Sequence, residues 1–178
     1  IGIRGYIFKV IGEHFNCFYH NNLKFELTGA QKRVLKEIRA DMATGHQMNR
    51  LLQGDVGSGK TIVAFMSLLI ALDNGFQTAL MAPTEILAQQ HLSSILEMAD
   101  GLDLNIQLLT GTVKGKKRKS LLEHLAVGNI DILIGTHALI EDPVVFKNLG
   151  MVVVDEQHRF GVVQRAKMWR KSKLNPPD

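Results

Sequence analysis

Gly54-Asp-Val-Gly-Ser-Gly-Lys-Thr61 decides how the rest of the chain is read. The stretch fills every fixed place of the pattern G-x-x-x-x-G-K-[ST]. A nucleoside triphosphate packs several negative charges into a small volume. Glycine has no Cβ to stop the backbone turning its N–H groups inward, so a loop carrying Gly54, Gly57 and Gly59 can cradle phosphate oxygens. Asp55, Val56 and Ser58 complete that backbone cradle. A helix starting near Lys60 would add its positive dipole end. Lys60 is placed to reach the β- and γ-phosphates, and the Thr61 hydroxyl to ligate Mg²⁺. Residues 50–54 (Arg-Leu-Leu-Gln-Gly) read as a strand entering the loop and residues 60–73 as the helix leaving it. That strand–loop–helix context separates a phosphate loop from an ordinary glycine-rich turn.

The same alternation continues downstream. Gln77 to Ala82 reads as a strand and Thr84 to Ala99 as a helix. Leu104 to Leu109 is strand-like, Lys116 to Ala126 helical, and Ile130 to Ile134 and Met151 to Val154 are strands. Upstream, Thr28 is a plausible N-cap for a helix with Val34, Leu35 and Ile38 at helical spacing, ended by Gly45. Strands alternating with helices argue for βαβ units. The strands are unbroken apolar runs, as a parallel sheet covered by helices on both faces requires. Residues 1–23 are different: Tyr6, Ile7, Phe8, Val10, Ile11, Phe15, Phe18 and Tyr19 suit a short strand pair or an extended, poorly anchored arm.

A second segment carries acid chemistry. Met151-Val-Val-Val-Asp-Glu-Gln-His158 is an apolar run ending in two carboxylates. A buried carboxylate is costly unless paired or metal-bound, and the carboxyl end of a parallel strand is the edge where ligands sit. Asp155 is there to hold Mg²⁺, directly or through water. Glu156 is placed to orient and deprotonate an attacking water. Enzymes that only transfer phosphoryl groups do not need Glu156, so the pair favours hydrolysis.

Composition sets the class. The chain has 178 residues, 46% hydrophobic and 21% charged, as befits one globular domain. Its net charge is +4 and its pI about 9.3, which permits a polyanionic partner. No apolar run approaches the ~20 residues of a membrane span, and no basic-then-apolar leader is present. A single cysteine, Cys17, rules out an internal disulfide framework and reads as a small, partly buried apolar residue. These features fit a cytoplasmic protein with no membrane partner. The chain starts at Ile1 and ends on Asn175-Pro-Pro-Asp178, which reads as a fragment of a larger protein.

With both motifs placed, the chain resembles the superfamily 2 helicases and translocases, most closely the RecG-type DNA helicases. Leu27-Thr-Gly-Ala-Gln31 looks like the adenine-reading element, with Gln31 on the adenine edge and Phe25 packing near the base. Gly54–Thr61 is motif I. Ala82-Pro-Thr-Glu85 followed by Leu87-Ala-Gln89 matches motif Ia, Thr110-Gly111 motif Ib, and Gly135-Thr-His-Ala-Leu139 the short motif after it. Asp155-Glu-Gln-His158 is motif II. Arg159-Phe-Gly-Val162 with Gln164-Arg165 is of the kind that follows motif II in RecG and in the transcription-repair coupling factor. The latter reads Asp-Glu-Glu-Gln before it, whereas this chain reads Asp-Glu-Gln-His.

The resemblance implies a RecA-like P-loop NTPase domain over residues 24–178, with residues 1–23 the tail of a missing upstream domain. It implies ATP and Mg²⁺ as cofactors, with Lys60, Asp155 and Glu156 catalytic. Gln157 and His158 would couple the site to a second RecA-like lobe. That lobe, its arginine finger and a wedge domain are absent from this chain, and the partner implied for the whole protein is branched or forked duplex DNA. Alone, the chain is expected to be a nucleotide-binding module without turnover. A lobe of an RNA helicase is the alternative, against which the Arg159-Phe-Gly-Val162 run argues.

The resemblance also places Thr84, Thr110, Gly111, Thr136 and His137 near the tracking strand. Small hydroxyls and backbone N–H groups suit phosphate oxygens without reading sequence. Each threonine reads equally well as a cap or turn residue, and His137 as a packed core histidine or a prop for motif II. The run Lys114 to Lys119 holds five positive charges in six residues. Lys114 and Lys116 either contact phosphates, with a steep salt dependence, or simply form a solvated face.

Overall fold

The computed structural model describes residues 13–19, 29, 32–33, 36, 49–52, 59–141 and 143–155, with the backbone alone at 13, 49–52 and 59–61. In chain order the elements are α1 (Glu13–Cys17), β1 (Asn49–Leu52), α2 (Gly59–Asp73), β2 (Gln77–Met81), α3 (Glu85–Met98), β3 (Ile106–Leu109), α4 (Gly115–Ala126), β4 (Ile132–Gly135), a short 3₁₀ turn (His137–Ile140) and β5 (Leu149–Asp155). Of the helix expected after Thr28, residues Gly29, Lys32, Arg33 and Lys36 are described and are helical.

The strands form one parallel sheet in the order β1-β5-β2-β4-β3. Successive side chains along a strand point to opposite faces, and here both faces are apolar. Leu80, Ile132, Ile134, Met151 and Val153 face α2 and α3. Ala79, Met81, Leu133, Val152 and Val154 face α4 and the segment holding Leu139, Val144 and Phe146. Every residue of β2, β4 and β5 is buried. This is why those strands are apolar runs rather than alternating ones. The edge strand β3 departs from that rule, with Gln107 exposed and Leu108 half-buried. It starts at Ile106, two residues after the expected Leu104, which leaves the Asn105 N–H to donate to Asp131 Oδ2 at 2.9 Å and the Asn105 carbonyl to accept from the N–H of Asp131.

Helix α2 is apolar all round, and Ile62 through Ala71 are all buried. A helix of that kind must be covered on more than its sheet face, and α1 supplies part of the cover. Here the structure corrects the sequence reading. Residues 13–19 are not an extended, loose arm. Asp73, at the end of α2, accepts from the backbone N–H of His14 (3.1 Å) and of Phe15 (3.0 Å), satisfying donors that a helix start leaves unpaired. Phe18 is fully buried and meets Phe65 edge-to-face, with ring centroids 5.0 Å apart. Cys17 is half-buried against the same cluster, as expected. Among the described residues no helix is long and apolar enough to cross a membrane.

Candidate active site

Sheet order assembles the site. β1, which leads toward the phosphate loop, pairs directly with β5, and Leu52 is in register with Asp155. The phosphate-loop stretch begins two residues after Leu52, and Asp155 is the last residue of its strand. β1 and β5 therefore end side by side at the carboxyl edge of the sheet. Across the loop, α2 begins at Gly59, so Lys60 and Thr61 belong to the first turn of a 15-residue helix. The N–H groups of that turn have no intrahelical acceptors and suit an anion. Gln31, Gly54, Asp55, Val56, Gly57, Ser58, Glu156, Gln157 and His158 lie outside the described residues, as does Phe25.

Asp155 is buried, with a side chain only 2% exposed. Its partner is one that sequence reasoning missed. His91, on α3, places Nε2 3.0 Å from Asp155 Oδ2, across 64 residues of sequence. His91 is itself 0% exposed, and its Nδ1 has no hydrogen-bond partner among the described residues. A signal for it was present. The buried positions of α3 are Ala88, His91 and Ile95, so the histidine occupies a core-facing place on the helix. A polar residue there needs a buried partner.

The three threonines expected near a nucleic acid all follow strand ends on this same edge. Thr84 follows β2, Thr110 follows β3 and Thr136 follows β4. Each also has internal work, in line with the cap-or-turn alternative. Thr84 caps α3 by accepting from Leu87 N–H at 3.2 Å. Thr136 caps the 3₁₀ turn by accepting from Ala138 N–H at 3.4 Å. Thr110 is buried, with its hydroxyl 2.9 Å from that of Thr112 and 3.4 Å from Glu85 Oε1. Thr112 donates to the same Glu85 oxygen at 2.8 Å. Thr84, Gly111, Lys114, Lys116 and His137 are exposed, so His137 is not a core histidine. The basic run opens α4, and its cap residue Lys114 makes no side-chain cap bond. Arg118 is the member tied down, donating to Glu141 at 2.7 Å.

Among the described residues no group of three or more His, Cys, Asp or Glu side chains is placed to hold a metal. Mg²⁺ does not need one. It favours hard oxygen donors and is commonly held by one or two carboxylates together with substrate phosphates. One buried carboxylate beside a phosphate-loop strand fits that donor set.

The family profile of DEAD/DEAH box helicases matches residues 28–177. The chain belongs to the DEAD/DEAH box helicase family. This helicase chain is 59% identical over 157 residues to the ATP-dependent DNA helicase RecG of Bacillus subtilis (strain 168), covering 88% of this chain and 23% of that protein. It is 54% identical over 151 residues to RecG of Aquifex aeolicus (strain VF5), covering 85% of this chain and 19% of that one. A solved structure of RecG bound to a three-way DNA junction superposes with a TM-score of 0.80 at 47% identity, over 89% of this chain and 22% of the other. The helicase MrfA, 20% identical with a TM-score of 0.62, shares the fold. The RecG-type resemblance read from the motifs is thus borne out, and so is the parallel α/β fold. The helicase chain spans about a fifth of the length of the curated relatives it matches.

Proposed function

We propose that this chain is the first RecA-like motor lobe, residues 24–178, of an ATP-dependent DNA helicase that remodels branched DNA. The observation that carries the reading is the Leu52–Asp155 register pair, which sets the phosphate-loop strand beside the strand ending in a buried acid. Relatives more than half identical, named as DNA helicases, favour DNA over RNA as the track.

In this reading Gln31 recognises adenine, and the backbone of 54–59 holds the phosphates. Lys60 neutralises the β- and γ-oxygens. Thr61 and Asp155 would hold Mg²⁺, which would offset the negative charge of the phosphates. Glu156 orients water for attack, and Gln157 and His158 pass the state of the site to the second lobe. Thr84, Gly111, Lys114, Lys116 and His137 lie along the strand-end surface that meets DNA phosphates, with the buried Thr110 and Thr136 supporting it from beneath. The activity belongs to the longer protein, because an arginine finger from a second lobe is worth ~10³–10⁵ in rate in related NTPases. This lobe alone binds Mg-ATP weakly and barely turns it over. A cytoplasmic location fits that role.

The test uses the full-length protein. Fork DNA is expected to stimulate its ATPase, and Lys60→Ala is expected to remove γ-phosphate-dependent affinity without unfolding it. Equal ATP affinity of the variant by calorimetry would refute the phosphate-loop assignment. Stimulation by structured RNA but not by fork DNA would refute the DNA assignment.

A further inference from the structure

Helix α3 carries a histidine that neither motif accounts for. His91 occupies a core-facing position between Ala88 and Ile95, where an apolar residue would pack without cost. Instead the position holds an imidazole whose Nδ1 is buried and without a partner among the described residues. Buried polar atoms are nearly always satisfied, so an exception asks for a reason. The other ring nitrogen supplies one. Nε2 lies 3.0 Å from Asp155 Oδ2. An ionised carboxylate only accepts, so the nitrogen facing it is the one that donates.

We propose that His91 is a positioning residue for Asp155: its Nε2–H holds one carboxylate oxygen and fixes the plane in which the acid meets Mg²⁺. This rests on the reading of Asp155 as the metal-holding acid. The χ2 torsion of aspartate is broad, so a carboxylate at a strand end can present many orientations to a metal. An N–H fixed on one oxygen removes most of them. The donor sits on a rigid element: α3 is anchored by Ala88 and Ile95 in the core and packs on β3 and β4. Partners of this kind, outside the ligands themselves, orient ligating groups and change metal affinity by ~10–100-fold when removed.

The experiment measures binding of a fluorescent ATP analogue to the full-length protein as a function of Mg²⁺, and again in EDTA. His91→Leu is expected to raise the Mg²⁺ concentration at half-saturation by about 10–100-fold and to leave the metal-free affinity within about twofold. His91→Gln, which keeps a side-chain N–H of similar reach, is expected to restore most of the loss. Asp155→Asn is expected to weaken Mg²⁺ dependence by itself, and His91→Leu added to it to shift nothing further. A folded His91→Leu with an unchanged Mg²⁺ requirement, alongside an impaired Asp155→Asn, overturns the role of His91 while the reading of Asp155 stands. An Asp155→Asn protein with normal Mg²⁺ dependence overturns both. Where leucine prevents folding, His91→Asn is too short to reach Oδ2 and carries the same expectation. In the unaltered protein the Nε2–H resonance of His91 is expected to move when Mg²⁺ joins the bound nucleotide. A resonance that stays in place also counts against the role.

Discussion

Gly135→Ala tests why the short motif at residues 135–139 begins with glycine. Gly135 ends β4 opposite Leu109, the last residue of the edge strand β3. A Cβ placed there would fall against the Leu109 carbonyl oxygen, well inside the 3.0 Å that real Cβ atoms respect, with Leu139 Cδ2 at 2.9 Å as well. The leucine can shift by rotation, but the carbonyl cannot without moving the strand. Overpacking of a tight site costs about 1–3 kcal/mol, and a backbone obstacle puts this one at the upper end. The lower entropy cost of alanine in a strand offsets about 0.5–1 kcal/mol. The net loss is then about 2 kcal/mol, or roughly 4–8 °C in Tm for a chain of this size. Because among the described strands β3 pairs only with β4, the strand that yields is the one leading into Thr110. Gly111→Ala is the control, since nothing lies within 4 Å of a Cβ there and its φ is not in the left-handed region. Urea unfolding of the 178-residue chain with a circular dichroism readout measures both. A Gly135→Ala chain no less stable than Gly111→Ala would refute the close-approach argument.

Two further outcomes follow from side-chain contacts. Phe18→Ala removes a fully buried ring from its edge-to-face partner Phe65 and is expected to cost about 3–5 kcal/mol in urea unfolding, whereas a loss near zero would mean that residues 13–19 do not belong to the core. Glu85→Ala removes the acceptor shared by Thr110 and Thr112 and is expected to weaken fork-DNA binding of the full-length protein several-fold, measured by fluorescence anisotropy, while stability falls by only about 1 kcal/mol; unchanged DNA affinity would place that loop away from the DNA.

The order of elements was readable because two signals coincide in this chain. The phosphate-loop pattern fixes one strand–helix junction, and buried parallel strands such as Met151–Val154 announce themselves as unbroken apolar runs. The order of strands within the sheet was not readable. Nothing local in Leu149–Asp155 says that it inserts between β1 and β2, because those pairings join residues such as Asn49 with Val152 and Gln77 with Leu149, far apart in sequence. The misreading of residues 13–19 has the same origin. Phe15, Phe18 and Tyr19 are aromatic and favour strands weakly. The helix is imposed from outside, by the Asp73 carboxylate on two N–H groups and by the Phe65 ring.

His91 and Glu85 show how the site itself divides between legible and hidden parts. On the proposed reading, the acids and the phosphate loop are legible because their chemistry demands fixed residue types at fixed spacing. Their supports are hidden because support is a matter of which element passes nearby. One helix does most of it here. At its first residue, α3 places Glu85 under the hydroxyls of Thr110 and Thr112. Six residues on, about 9 Å along the axis, it places His91 on Asp155. Between and beyond them Ala88 and Ile95 fix the helix in the core. A helix so anchored moves as a unit, so a displacement of the loop after β3 is expected to reach the Asp155 carboxylate through α3 rather than be lost in side-chain rotation. That gives α3 separate tasks at its first residue and at its middle, and it accounts for a histidine at a position where a leucine would pack.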